Sequence, residues 1–271
     1  MSASNSSMGR FRLVSWHMTA LSLLAMLLAW LIIASPIGVP SYVIPGPFAV
    51  GEAWWDAASS GRLFIDILIS VQRLLLGAAV GISTGILFGF IVGLSPTARV
   101  AVEPVINAMS GIAGIAWIPL ALAWFGTGLG MSTFVIWNGM FFVVFANTAL
   151  GVSRVQPSLA ESVLTLGGGR WDIIRSVILP GAAPDILTGL RVGLSFAWRS
   201  LIAAELLGAP QGLGQWINQS ATLQRSDRIL AGCITIAVLG VILEYLLVSW
   251  IAARTVVRWG TITDASRGGA Q

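Results

Sequence analysis

Five ionisable side chains, Arg73, Arg191, Arg199, Glu205 and Glu244, lie inside long apolar runs. A charge at bilayer depth is costly, so each marks either a solute contact or an internal pair that orients helices. Arg199 and Glu205 are six positions apart, too far to face each other as an i,i+4 pair. Arg199 is a candidate to face an anionic solute, and Glu205 lies near the end of its run. Trp117, Trp124, Trp137 and Trp198, with Asn138, lie on neighbouring runs. They either shape a solute cavity or serve as packing and interface anchors. The candidate translocation path is therefore Trp117, Trp124, Trp137, Asn138, Arg191, Arg199 and Glu205. The sequence names no partner for Arg73 or Glu244.

Covalent chemistry has little to work with. The 15 basic residues are all Arg, and there is one His (His17) and one Cys (Cys233). A phosphate-binding GxxxxGK[ST] loop needs its Lys, so this chain carries no such ATP site. A Schiff base needs Lys too. A single His leaves a catalytic triad or a His-rich metal site without ligands to spare, and no metal site is expected. One Cys forms no internal disulfide. ATP-driven work would fall to a partner, and a membrane-embedded enzyme is disfavoured.

The elements that position these residues are apolar helices. The chain has 271 residues, 56% hydrophobic and only 10% charged, with a mean hydropathy of +0.87. Soluble domains carry about 25% charged residues, so an all-α integral membrane protein is expected. A spanning helix needs ~20 mostly apolar residues. About six stretches meet that length, near 17–38, 63–94, 104–125, 132–152, 186–207 and 229–253. They give one transmembrane domain over 17–259, with a tail at 1–16 and another at 260–271. The first stretch follows Arg10 and Arg12 and has a poor cleavage site, which reads as a retained signal-anchor. Arginines set the orientation. Arg10, Arg12, Arg99, Arg154, Arg170, Arg175, Arg254, Arg258 and Arg267 fall on one side, and only Arg62, Arg225 and Arg228 on the other. Both termini are therefore predicted to be cytoplasmic. The net charge of +4 is dispersed at the ends of apolar runs and reflects topology rather than nucleic-acid binding.

Gly77, Gly81, Gly85, Gly89 and Gly93 recur every four residues in the second stretch. Small residues at that spacing let helix backbones approach closely in a bilayer. Gly111, Gly114 and Pro119 interrupt the third. It is read either as lining a pathway or as an ordinary buried helix with a kink. The segment 39–61 is expected to run extended through its prolines and then form a short helix with Trp54 and Trp55 at the membrane interface. The loop 209–228 opens on GAPQGLG (208–214), a turn-rich segment.

The sizeable polar loop 153–185 contains AESVLTLGGGRWDIIRSVILPGAAPDI. Glu161 stands near a helix start, Gly167, Gly168 and Gly169 break that helix, and Arg170-Trp171-Asp172 open a second. Leu179-Pro180 and Pro184 are expected to end it, because proline cannot continue a helix interior. Such a helix–turn–helix is suited to docking on a cytosolic partner.

This loop resembles the EAA motif of ATP-binding-cassette importer permeases, E-A-A-x3-G-x9-I-x-L-P. Glu161, Gly167, Leu179 and Pro180 match in place, Val177 stands for Ile, and Ser162-Val163 replace the alanines. The stretches SVQRLLLG (70–77), WIPLALAWFGTG (117–128) and AAELLGAPQGLG (203–214) are similar to permeases of the nitrate/sulfonate/taurine branch. The resemblance implies a type I importer permease of the bacterial plasma membrane, and a homodimer in the lipid bilayer. Two cytosolic ATPase subunits would hold ATP and Mg, with no cofactor on this chain, and an extracytoplasmic solute-binding protein would deliver solute. It implies a coupling helix within Gly167–Val177, in a docking loop of Glu161, Gly167, Gly168, Gly169, Arg170, Trp171, Asp172, Arg175, Leu179 and Pro180. Glu161 would help fix the loop's shape. The solute would be a small anion such as a sulfonate, taurine or nitrate. The competing reading is an ion or solute channel, or a membrane scaffold, neither of which needs such a loop.

Overall fold

Proline and glycine punctuate a chain that is otherwise helix after helix. The computed structural model describes residues 21, 22, 24–26, 28–34 and 43–255, with side chains through 246. Its helices are α1 (Leu24–Ile33), α2 (Pro47–Ser59), α3 (Arg62–Leu94), α4 (Pro96–Ser110), α5 (Ile118–Phe125), α6 (Leu129–Ser153), α7 (Pro157–Thr165), α8 (Arg170–Ile173), α9 (Leu179–Gly208), α10 (Leu213–Thr222) and α11 (Ser226–Thr255). No strand occurs among the described residues. Pro47, Pro96 and Pro157 each open a helix, where the missing N–H is no loss and the fixed φ is already helical.

Four helical stretches are long and apolar enough to cross a membrane: Arg62–Leu94, Leu129–Ser153, Arg170–Gly208 and Ser226–Leu246. A fifth arises if α4 and the segment Gly114–Phe125 are taken together, although they are bent by 86°. The span expected over 104–125 is therefore broken at Gly111–Gly114, which removes the reading of it as an ordinary kinked helix. The chain leaves helix at Gly111 and resumes as a 3-10 turn at Gly114–Trp117. Pro119 then stands in the first turn of a new helix, where its ring interrupts no existing ladder. Pro104 lies within α4. Residues 17–20, 23, 27 and 35–38 of the expected first span, and the tails 1–16 and 260–271, lie outside the described residues.

A correction concerns α9. Pro180 and Pro184 were expected to end the loop's second helix, yet Arg170–Gly208 runs as one helix of 39 residues. The reason is a π-helical turn, Ile174–Ile178, immediately before Leu179-Pro180. There the hydrogen-bond ladder has already shifted from i−4 to i−5, so Pro180 removes no i−4 bond from a regular turn, while Pro184 sits inside the regular helix α9. Helix α10 (Leu213–Thr222) begins at the end of the turn-rich GAPQGLG stretch.

The described chain divides into two compact units. One comprises residues up to Arg62 together with Ile217–Ile234. Within it the Trp30 indole N–H donates to the Pro45 carbonyl at 3.2 Å, and Arg62 donates to Gln219. Helix α2 buries Val50, Ala53 and Ala57, spaced along one face, and leaves Phe48, Trp54 and Trp55 exposed.

The other unit comprises Leu63–Trp216 and the chain from Thr235 on, and α6 is its centre. Of the apolar window of α6, 56% is buried, against 33% for α3 and 22% for α8–α9. The five glycines of α3 all lie against it. A Cβ would come within 2.6 Å of Ile136 Cβ at Gly77, 3.0 Å of Met140 Cβ at Gly81 and 2.8 Å of Val144 Cβ at Gly85. At Gly89 and Gly93 it would come within 2.7 Å of the Phe145 carbonyl and of Val152 Cβ. Helix α9 approaches α6 in the same way: Gly189 abuts Asn147, Gly151 abuts Asp185, and Gly139 abuts Ser200. Leu74, Ile136, Met140, Val144, Ala197 and Leu201 fill the space where the three helices meet. Lipid tails are as apolar as these side chains, so close van der Waals packing rather than water exclusion holds the three helices together.

Candidate functional site

Two constructions stand out, an exposed turn between α7 and α8 and a buried polar cluster between α3 and α9. The turn is built by glycine geometry. Gly167 adopts φ +83°, the left-handed region. Its N–H donates to the Leu164 carbonyl at 3.0 Å, and the Gly168 N–H donates to the Val163 carbonyl at 2.9 Å. These two bonds make a Schellman C-cap, with Gly167 at the position that favours glycine. At Gly168 a Cβ would meet Val163 Cγ1 at 2.6 Å, so that position also excludes side chains. The next helix is capped by Asp172, whose Oδ2 accepts the Gly169 N–H at 2.8 Å. Glu161 lies exposed inside α7 rather than at its start. The bonds that shape the turn come from Gly167, Gly168 and Asp172. Arg170, Trp171 (69% exposed), Arg175, Leu164 and Leu166 (88% exposed) present a free, partly apolar face. At the base of the loop, Arg154 Nη1 meets Asp185 Oδ1 at 3.4 Å and joins the end of α6 to α9.

The buried cluster surrounds Glu205, whose side chain is fully enclosed. The Ser70 hydroxyl lies 2.8 and 2.9 Å from the two carboxylate oxygens. Arg73 Nη1 donates to Oε1 at 3.0 Å, and the Gly214 N–H donates to Oε2 at 2.9 Å. Arg73 also donates to the Gln211 carbonyl. The Leu213 N–H donates to Ser70 Oγ at 3.0 Å, and the Gly212 N–H to Asp66 Oδ1 at 3.2 Å. A side chain at Gly212 (φ +119°) or Gly214 would collide with Glu205. The cluster therefore fixes the segment 211–214 against α3 and α9. Asp66, Ser70, Gly212 and Gly214 were not singled out as site residues. Their only sequence signal is that they fall in or beside the stretches 70–77 and 203–214.

The other candidates for a path separate. Glu205 is removed from it by its burial. Trp137 donates to Thr84 Oγ1 at 2.9 Å and stacks on Phe141 at 5.0 Å. Trp124 is exposed, with its ring 5.8 Å from Phe134. Trp117, at the break in the bent pair, contacts Phe134 edge-on at 6.3 Å, and its buried indole N–H has no partner among the described residues. Asn138 is buried on α6 beside Gly114, which also lies close to Ser200. Arg191 Nε lies 4.0 Å from Glu244 Oε1, giving Glu244 its partner. The Arg199 guanidinium sits over the Phe196 ring at 5.7 Å. No group of three or more His, Cys, Asp or Glu side chains is placed to hold a metal among the described residues.

Residues 81–258 match the family of binding-protein-dependent transport system inner membrane components. The chain belongs to that family. The permease is 32% identical over 228 residues to the taurine transport system permease protein of Escherichia coli, covering 82% of this chain and 83% of that one. It is 32% identical over 224 residues to the putative aliphatic sulfonates transport permease protein of Bacillus subtilis, covering 82% and 81%. A solved chain from an amino acid ABC transporter with histidines superposes with a TM-score of 0.58 at 18% identity, covering 74% of the permease and 98% of that chain. That likeness is one of fold. The permease is thus a multi-pass membrane subunit of an ATP-binding-cassette importer.

Proposed function

We propose that this permease couples to a cytosolic ATPase through the loop 161–180 and moves a small anion, a sulfonate, taurine or nitrate, across the membrane. The observation that carries the coupling is mechanical. The loop's second helix continues through the π turn Ile174–Ile178 into α9, 39 residues in all, or about 58 Å at 1.5 Å per residue. A push on the exposed face of Trp171 moves a rod, not a hinge. Helix α6 packs closely against that rod at Gly139, Gly151 and Gly189, each glycine taking up a side chain of the opposite helix, so α6 and α9 move as one body. The Gly167 turn and the Asp172 cap fix the angle at which the rod meets its partner.

In this reading two copies of the chain form the path, and both termini face the cytosol. Each copy docks one ATPase subunit, which binds ATP and Mg, and an extracytoplasmic binding protein delivers solute. Closure of the ATPase pair draws the loops together and switches the path from inward to outward access. The relatives named for taurine and aliphatic sulfonates support the anion class. The test is purification of the tagged permease in mild detergent with ATPase activity assayed on the product. An ATPase that co-purifies, and is lost when residues 161–180 are scrambled, is the expected result. A single species without ATPase would return the chain to a channel or a scaffold.

A further inference from the structure

We propose that the furrow between α9 and α11, centred on Arg199, is a transmembrane site for an organic monoanion with an apolar moiety. This rests on the importer reading and narrows its substrate class, setting alkyl and aryl sulfonates or carboxylates above inorganic anions such as nitrate.

Three arginines lie in the apolar runs, and their partners separate them. Arg73 bonds Glu205 at 3.0 Å, and Arg191 lies 4.0 Å from Glu244. Arg199 forms no ion pair among the described residues and has only the Phe196 ring beneath it at 5.7 Å. Helix α9 ends at Gly208, so Arg199 lies ~13 Å along the axis from that end. In a hydrocarbon layer ~30 Å thick this is close to the middle. A guanidinium without a counter-charge at that depth calls for an anion, and its planar fork matches two oxygens of a sulfonate or carboxylate.

The space around Arg199 is divided by chemistry. Two cavities share Trp198 and Arg199 in their walls. The larger, about 420 Å³, is otherwise apolar and includes Ile115, Ile202, Leu206 and Ile236. The smaller, about 240 Å³, adds Ser195 and Glu244. Gly240 leaves room for the Trp198 indole: a Cβ there would lie 2.8 Å from Nε1. A hydrated inorganic ion would answer Arg199 and leave the large cavity without apolar content. An alkyl or aryl chain fills it while the oxyanion stays on Arg199. A single guanidinium balances one anionic group, and Glu244 in the smaller cavity already faces Arg191.

The test is photolabelling of the full-length permease, with its ATPase where that co-purifies, in nanodiscs of neutral phosphatidylcholine. The probe is 4-azidobenzenesulfonate, with adducts mapped by mass spectrometry. Adducts are expected on Ile202, Leu206 or Ile236. Excess hexanesulfonate should reduce them at least tenfold, and the same concentration of nitrate should not. Arg199→Gln should abolish them and Arg199→Lys should retain them, each variant first shown monodisperse by size exclusion. Adducts confined to other segments, equal labelling of Arg199→Gln, or equal competition by nitrate would each overturn the proposal. So would labelling that phosphatidylglycerol displaces and hexanesulfonate does not, because the furrow would then be a lipid site. Failure of labelling with the ATPase still bound removes this site alone. Loss of the ATPase with labelling intact removes the importer reading and leaves an anion site.

Discussion

Gly167 is a position where the backbone, not the space, forbids a side chain. Its φ is +83° and nothing lies within 4 Å of where a Cβ would sit. A β-branched residue there costs roughly 1–2 kcal/mol in left-handed geometry, comparable to what the turn's two hydrogen bonds contribute. Gly167→Val should let the turn relax and re-aim Trp171. Uptake by cells should fall at least tenfold while helical content by circular dichroism and basal ATP hydrolysis stay unchanged. Gly167→Asn should recover much of the loss, because Asn tolerates this region. Undiminished uptake by the Val variant would remove the turn from the coupling route. The turn was legible because glycine, Asp172 and the helix breaks are local signals. The Glu205 cluster was not, because Arg73 and Glu205 stand 132 positions apart. No periodicity links residues on different helices, and the stretches 70–77 and 203–214 disclosed residue types without disclosing that they bond each other.

At the scale of elements, the α3 glycines were readable as a packing face because their spacing matches one stripe of a helix. The sequence does not name the partner helix, which is α6. The same stripe predicts where volume is not tolerated. At Gly85 a Cβ would stand 2.8 Å from Val144 Cβ and 3.2 Å from the Phe141 carbonyl. Neither neighbour is a flexible chain end, so Gly85→Ile must force α3 away from α6, at a cost of about 1–3 kcal/mol. The variant should melt at lower temperature in detergent, followed by fluorescence-detected size exclusion. Gly51→Ala on α2, where the space is open, should not. Equal melting of both variants would mean that the stripe is not a close contact. Proline misled the reading of α9, because the rule that it ends helices assumes a regular i−4 ladder. The π turn Ile174–Ile178 removes that assumption at Pro180, though not at Pro184 inside α9, and no residue pattern announces such a turn.

At the scale of the molecule, arginine asymmetry and helix order together predict which side of the membrane each loop faces. Composition made the membrane reading plain, since 10% charged residues cannot cover a soluble surface. Orientation is a finer inference, and α6 tests it directly. Helix α6 joins the exposed residue Thr127, just before it, to the loop that carries Leu166. With Arg154, Arg170 and Arg175 at the loop end and no Arg or Lys between Arg99 and Arg154, the positive-inside rule puts Leu166 in the cytosol and Thr127 outside. The native thiol would first be removed as Cys233→Ser. A membrane-impermeant maleimide applied to intact spheroplasts should then label Thr127→Cys. Leu166→Cys, at a position 88% exposed, should react only after the membrane is opened. Docked ATPase would slow that second reaction, and ATPase-free membranes would restore it, so one pair of variants reads both orientation and occupancy. Labelling of Leu166→Cys from outside would invert the topology and place the loop where no cytosolic ATPase can reach it. The rod of α8 and α9 would then have nothing to push against it, and the coupling reading would fall with the orientation.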